Sequence, residues 1–527
     1  MNRPRLGVIS VAAMASAALM LAVGPALGSG SAGSQTETAT PARCAGSGTT
    51  DEAGPSQPDP KAGPTHHPMG TLSDRLARTP SGGKLTVPPG VYHGALVIDH
   101  PVMLVGIGHA VLRGDGTGTV LTVRAAGTTV RNLVVEGSGP GPVGNPAGVS
   151  VQADNVVIKD LHIRDSYTGI WVEGASDTQI LGNVIEGRES VAASGEPRGA
   201  MEADMDAMSQ GSGHGEAQGG RGDGVSLFDA IRPVVSGNII TDPRDGVYME
   251  FGSGTRIECN SVVGGRYAIH GMYGKSVTLA DNRFTANQSG PVMMYGGPLT
   301  LEGNVIRDAQ SAATGFGVLL LDVAGARLIR NVIVSNRVGL QIEGPVNGSR
   351  PTVVELNTIA LNQVGVGLYP SANANLSQNS FVENTVQVLG LGPDGDGGAS
   401  SWSREGVGNY WSDYRGYQRS GSDVGAIPHV EGAAAGRLLA SDPVLLALAS
   451  SPSFNLLRAV EQRTAGHDPV SVDRFPMVDP RSPSLSSTPD RTAIGTGLVG
   501  ATILAVCSLS LLRCTRRRQL HLRRTGP

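Results

Sequence analysis

From about residue 84 to residue 384 short β-branched and apolar runs alternate with single polar positions, and each run closes on a turn marked by asparagine. The repeated strings are "LGNVIEG", "SGNIITD", "ECNSVVG", "ADNRFTAN", "EGNVIRD", "IRNVIVSN", "ELNTIALN" and "SQNSFVEN". Their asparagines, Asn183, Asn238, Asn260, Asn282, Asn304, Asn331, Asn357 and Asn379, are spaced by 55, 22, 22, 22, 27, 26 and 22 residues, the 55 being two coils and an insertion. Asn132 and Asp160 are read into the same position upstream. A period near 22 built from strand-forming residues predicts a solenoid. Heptads and the leucine-rich repeat pattern are both missing. The expected fold is all-β, a right-handed parallel β-helix whose strands lie about 4.8 Å apart. Asparagine suits the turn because it tolerates left-handed backbone angles and can bond its amide to the next asparagine in the stack. "TLSDRLARTP" (71–80) reads as an amphipathic cap ahead of the first strands.

A fixed period turns numbering into neighbours. The blocks 223–229, 245–251, 267–273 and 289–295 start 22 residues apart. Side chains alternate across a strand, so Val225, Val247, Ile269 and Pro291 share the inner face with Leu227, Met249, Gly271 and Met293. Ser226, Tyr248, His270 and Val292 then share the other face with Phe228, Glu250, Met272 and Met294. That face is expected on the outer surface, where His270, Met272 and Met294 offer an imidazole and two thioethers, a donor set suited to Cu(I). The alternative is that they pack against a loop or a partner, since thioethers commonly fill gaps. Asp223 and Asp245, one coil apart near Arg244 and Arg266, have the spacing of a glycosidase carboxylate pair. Both precede glycine at a turn, where aspartate is ordinarily structural. An insertion, 188–222, interrupts the repeat; its Met201, Met205 and Met208 fall on one helical face, with His214 following, and form a second candidate copper-collecting element.

The flanks read differently. Residues 1–28, with Arg3 and Arg5 ahead of an apolar stretch, form a secretory signal peptide. Residues 29–70 are a Gly/Ser/Pro/Thr-rich disordered linker. The β-helix is expected over 71–430, a helical C-terminal extension over 431–480, a linker over 481–491, a transmembrane helix over 492–513 and a basic cytoplasmic tail over 514–527. Composition supports a repeated small unit: 75 glycines in 527 residues and only 4% aromatics do not suit a large conventional core. A net charge of −4 gives no reason to expect nucleic acid as a partner. The four cysteines, Cys44, Cys259, Cys507 and Cys514, contain no C-x-x-C pair. A Cys44–Cys259 bridge is open, with two free thiols favoured. No nucleotide-binding or hydrolase motif occurs, so no enzymatic activity is expected.

"GRYAIHGMYGKSVTLADNRFTAN", "PVMMYGGPLTLEGNVI", "GFGVLLLDV", and above all "GNYWSDYRGY" (408–417) followed by "FPMVDP" (475–480), resemble the NosD family over roughly residues 72–480. The resemblance implies a pectate-lyase-like β-helix outside the cytoplasm that assists nitrous oxide reductase maturation. It implies an ABC-type permease with a separate ATPase, a copper chaperone and the reductase as partners, and copper as a transient ligand. The family continues after its "YWSDYRGY" block with an acidic Asp-Gly-Asp-Gly-x-Gly-Asp-x-Pro-Tyr stretch. Here the text is "QRSGSDVGAIPH", with Asp423 remaining and His429 in place of the tyrosine. A carbohydrate-processing β-helix, with Trp171 and Tyr248 stacking on sugar, is the alternative, followed by a docking rod without a ligand.

Overall fold

The computed structural model describes residues 44, 66–141, 144–188, 221–311, 314–345, 350–392, 397–432, 451–454, 456–457, 460 and 469–481. The segments read as a signal peptide (1–28), as the insertion arm carrying Met201, Met205, Met208 and His214, as a transmembrane helix (492–513) and as a basic tail (514–527) lie outside the described residues. Among the described residues no helix is long and apolar enough to cross a membrane.

The chain is an all-β parallel solenoid of three long sheets, one of fourteen strands and two of twelve, in which strands from successive coils are direct neighbours. One coil runs Tyr267–Met272, Val277–Ala280 and Arg283–Thr285, contributing one strand to each sheet. The sheet of Tyr267–Met272 is called here the third sheet. The expected alignment holds in register: Val225 pairs with Val247, Val247 with Ile269 and Ile269 with Pro291, while Ser226, Tyr248, His270 and Val292 form the adjoining column. The inward column, including Val247, Met249, Ile269 and Met293, joins one continuous apolar core along the rod. The apolar inward column keeps this register, because a one-residue slip would turn every core side chain to the other face.

Asparagine forms the spine. Asn238 donates its backbone N–H and its side-chain amide to Asn260 Oδ1, each at 2.9 Å. Asn260 repeats this toward Asn282, and Asn282 toward Asn304, at 2.9–3.0 Å. The ladder begins at Asn183 and continues to Asn409, one coil past the last expected rung. Two expectations are corrected. Asn132 and Asp160 stand one position earlier than the ladder, whose place in their coils is taken by the buried Leu133 and Leu161. The left-handed residue is also not the ladder asparagine but the one before it, as in Gly237, Cys259, Asp281 and Gly303. A second buried ladder, Asn336 to Asn362 to Asn384, runs at the next corner.

Glycine has a packing role at the start of the third-sheet strands. A Cβ on Gly290 would stand 2.1 Å from the Gly317 carbonyl oxygen of the next coil. Stacked coils leave no room for it there.

The two ends differ from expectation. Inside the segment read as linker, His66–Pro68 is a strand, and Met69–Arg78 is the amphipathic cap, with Met69, Leu72 and Leu76 buried. At the other end the extension read as helical provides instead an antiparallel strand pair, His429–Gly432 with Pro469–Asp473. Short helical residues appear only at 452–454, 456–457 and 460 among those described. Cys44 and Cys259 form a disulfide, against the expectation of free thiols. The turn that carries Cys259 also begins the asparagine rung at Asn260.

Candidate functional site

The third sheet carries the chemistry on its non-core face. His270 and Val292 are register partners, as are Met272 and Met294, so the three expected ligands lie on one face of two adjacent strands. The expectation that this face is a solvent-exposed surface is wrong. Tyr248, His270 and Met294 are 5%, 2% and 3% exposed, Glu250 is buried as well, and Met272 alone of the five is partly exposed. Tyr267, Val292, Met294 and Leu319 form an apolar cluster separate from the core, with Met272 against it. The alternation of inward and outward residues was legible from the sequence; the burial of the outward side was not.

Two buried ion pairs flank this face. Arg244 donates two hydrogen bonds to Asp223, at 3.0 and 3.1 Å, and Arg266 donates two to Asp245, at 3.0 and 2.8 Å. Asp245 Oδ2 also lies 3.1 Å from His270 Nδ1. Burial opposes charge on Asp245, yet Arg266 first and His270 next hold its carboxyl far below the usual carboxylate range. An ionised Asp245 can only accept, which assigns the proton to Nδ1. In the neutral imidazole His270 Nε2 then carries the lone pair. It is buried and has no hydrogen-bond partner among the described residues. Tyr248 and Tyr267 hold the imidazole edge to face, with centroids 5.2 and 5.0 Å away. Tyr248 donates to Glu250 at 2.7 Å; burial and then that carboxylate push its hydroxyl pKa well up, so it stays protonated.

The glycosidase alternative fares poorly on this geometry. Each aspartate is clamped by an arginine of its own, and burial raises Asp223 even against Arg244. Trp171 and Tyr248, expected to offer rings to a sugar, are 8% and 5% exposed. The exposed aromatics are others: Phe251, Tyr273 and Tyr295 stack along three successive coils at 5.2 and 5.5 Å, immediately after the strands of the site. All three have left-handed backbones, which turns them outward at the corner.

The "GNYWSDYRGY" block closes the rod. Asn409 ends the ladder, and Trp411 stacks on Phe381 at 4.3 Å, covering the last layer of the core. Asp473 accepts from the Asn409 backbone N–H at 2.7 Å and from Trp411 Nε1 at 2.9 Å, tying "SVDRFPMVDP" to that rung. Asp413, one residue beyond Ser412, meets His429 and Glu431 of the terminal strand pair. The sequence marks His429 only as a replacement for the family's tyrosine and gives no sign of Asp413 or Glu431, because the three meet only once the strand folds back.

The family model described as "Periplasmic copper-binding protein (NosD)" matches residues 201–416, a span containing the third-sheet site and most of the closing block. A Pseudomonas aeruginosa protein named "Probable ABC transporter binding protein NosD" is 27% identical over 436 residues, covering 77% of this chain and 91% of the relative. A Stutzerimonas stutzeri protein of the same name is 26% identical over 404 residues, covering 71% and 82%. Among solved structures, the catalytic domain of a GH87 alpha-1,3-glucanase in complex with tetrasaccharides superposes with a TM-score of 0.50 at 13% identity, covering 68% of this chain and 71% of that one. That likeness shows the fold alone. The profile spanning the site and both relatives aligned along most of their length support a NosD family protein.

Proposed function

We propose that this chain is an extracytoplasmic accessory protein of nitrous oxide reductase maturation, and that it holds Cu(I) in transit between His270 Nε2 and the thioethers of Met272 and Met294. The observation that carries this reading is the state of His270. One ring nitrogen is committed to Asp245 and the other is desolvated without a partner. Metal-bound histidines commonly have this arrangement, with a carboxylate fixing the tautomer and leaving the opposite nitrogen for the metal. One imidazole and two thioethers suit Cu(I), and none of the three need lose a proton to bind it. Met272, partly exposed, is the entry side. The exposed Phe251, Tyr273 and Tyr295 row lies beside it, where a donor or acceptor protein would dock.

Copper is cargo in this reading. It comes from a copper chaperone and goes to the reductase, alongside an ABC-type permease and its ATPase. The chain carries no nucleotide-binding motif, so ATP chemistry belongs to those partners. The Cys44–Cys259 disulfide agrees with an oxidising compartment. The right-handed form of the solenoid is the reading favoured by the general handedness of parallel crossovers. The signal peptide and C-terminal anchor complete the topology: body outside, one helix in the membrane, basic tail inside. The insertion with Met201, Met205, Met208 and His214 is a second place for the same cargo.

The test is Cu(I) competition against a chromophoric chelator, using the full chain with free thiols alkylated. His270→Ala should lower affinity at least tenfold, and Met272→Ala with Met294→Ala should do the same. Unchanged affinity in both would exclude this face. If deletion of 189–220 alone then removed binding, the cargo site would be the insertion.

A further inference from the structure

We propose that Asp413, His429 and Glu431 form a binding site for one divalent cation of the zinc class, which fastens the C-terminal strand pair to the last rung of the solenoid. His429 Nε2 lies 3.2 Å from Asp413 Oδ1 and 4.0 Å from Glu431 Oε1, and one ligand atom from each residue falls within 4.8 Å of the other two. Ligand bonds of about 2.0–2.2 Å in a tetrahedral shell place neighbouring ligand atoms about 3.4 Å apart, so these separations fit a shared ion after little adjustment.

The setting is built. His429 and Glu431 are each 5% exposed. The imidazole lies flat on Trp411, with centroids 4.2 Å apart and planes 6° from parallel, which fixes where Nε2 points. Gln387 Nε2 approaches Asp413 Oδ1 at 3.4 Å, and Asn384 holds that glutamine at 2.9 Å, so the second asparagine ladder ends by orienting the carboxylate. The ligands come from the loop after the last rung and from the returning strand. A bound ion therefore crosslinks elements that otherwise meet only through packing and hydrogen bonds.

Two carboxylates converge on one imidazole, and His429 Nδ1 has no hydrogen-bond partner among the described residues. A neutral imidazole bound through Nε2 leaves that atom an ordinary N–H, while a divalent ion neutralises both carboxylates. One nitrogen and two oxygens, with no sulfur, select a zinc-like ion over Cu(I). This site is independent of the copper reading, and its ligand chemistry keeps the two metals apart.

The experiment uses the full chain, stripped with chelator and titrated calorimetrically with zinc chloride and, separately, calcium chloride, with thermal unfolding followed in parallel. Wild type should bind one zinc more than His429→Gln, and zinc should raise its melting temperature by several degrees more than that of the variant. Asp413→Asn, which retains an acceptor for His429 and so keeps the cap packed, should weaken zinc binding at least tenfold while leaving Cu(I) affinity unchanged. The His66–His93 pair contributes equally to every protein compared. Equal zinc binding and equal thermal shifts in wild type and both variants would overturn the proposal. So would a response to calcium without one to zinc.

Discussion

Asp245 and His270 are joined at 3.1 Å across two neighbouring strands, one carboxylate oxygen facing Nδ1 while Nε2 is buried without a partner among the described residues. The contact spans 25 residues of sequence and depends on the 22-residue register that places Tyr248 beside His270. It makes Asp245 a positioning residue for the copper site. Asp245→Asn should lower Cu(I) affinity by about 10–100-fold, the usual cost of losing a carboxylate behind a ligating histidine. Competition titration checks this, and Asp245→Asn added to His270→Ala should then cause little further loss.

Acid should unfold the rod partly through this carboxylate. The folded form of Asp245 has its pKa depressed by Arg266 and His270 against burial, so its contribution is fully present above the unfolded value, about 3.9, and is lost as pH falls below it. Glu136 adds the same sign: burial works against its charge, but Arg113 and Arg164 lower it overall. Asp223 has the opposite sign, since burial raises it. Urea midpoints at pH 7 and pH 3 should therefore differ less in Asp245→Asn than in wild type, and differ more in Asp223→Asn. At pH 7 Asp245→Asn should cost about 2–3 kcal/mol, toward the low end for breaking a buried pair because Arg266 remains partly exposed.

The asparagine spine is testable at one rung. Asn282→Ala removes the acceptor of two Asn260 donors, at 3.0 Å each, and the donor to the Ile257 carbonyl at 2.8 Å. With Asn304 Oδ1, which loses its Asn282 side-chain donor at 2.9 Å, four buried polar groups lose a partner, for an expected destabilisation of about 3–5 kcal/mol by chemical denaturation. Gly290→Ala should also destabilise, by about 1–3 kcal/mol, through the clash with the next coil.

Much of this fold was legible because the repeat is literal. Val247 above Ile269 and Tyr248 above His270 follow from counting 22. The count slipped at Asp160, where spacing alone could not separate the ladder position from the left-handed one before it; the structure separates them by burial, Leu161 in and Asp160 out. The second ladder was also visible in "VSN", "ALN" and "VEN", but its register becomes clear only once coils stack. His270, Met272 and Met294 were found from alternation. Their burial, the Asp245 contact and the meeting of Asp413 with His429 and Glu431 were not: the period sets which strands are neighbours but not which side-chain atoms meet, and the last contact joins the loop after the final rung to a strand outside the period.

Cys44 and Cys259 enclose 215 residues of separation. The disulfide should be visible as a mass difference of two alkyl groups between reduced and unreduced protein labelled with iodoacetamide. Cys44→Ser should lower stability by about 2–5 kcal/mol, as removal of native disulfides does.

The most direct measurement is X-ray absorption at the copper edge of the Cu(I)-loaded full chain, with free thiols alkylated and residues 189–220 deleted. The account predicts one imidazole nitrogen and two sulfur neighbours, with the nitrogen lost in His270→Ala and the sulfurs lost in the Met272→Ala, Met294→Ala double variant. A spectrum without sulfur, or one that all three proteins share, would contradict it.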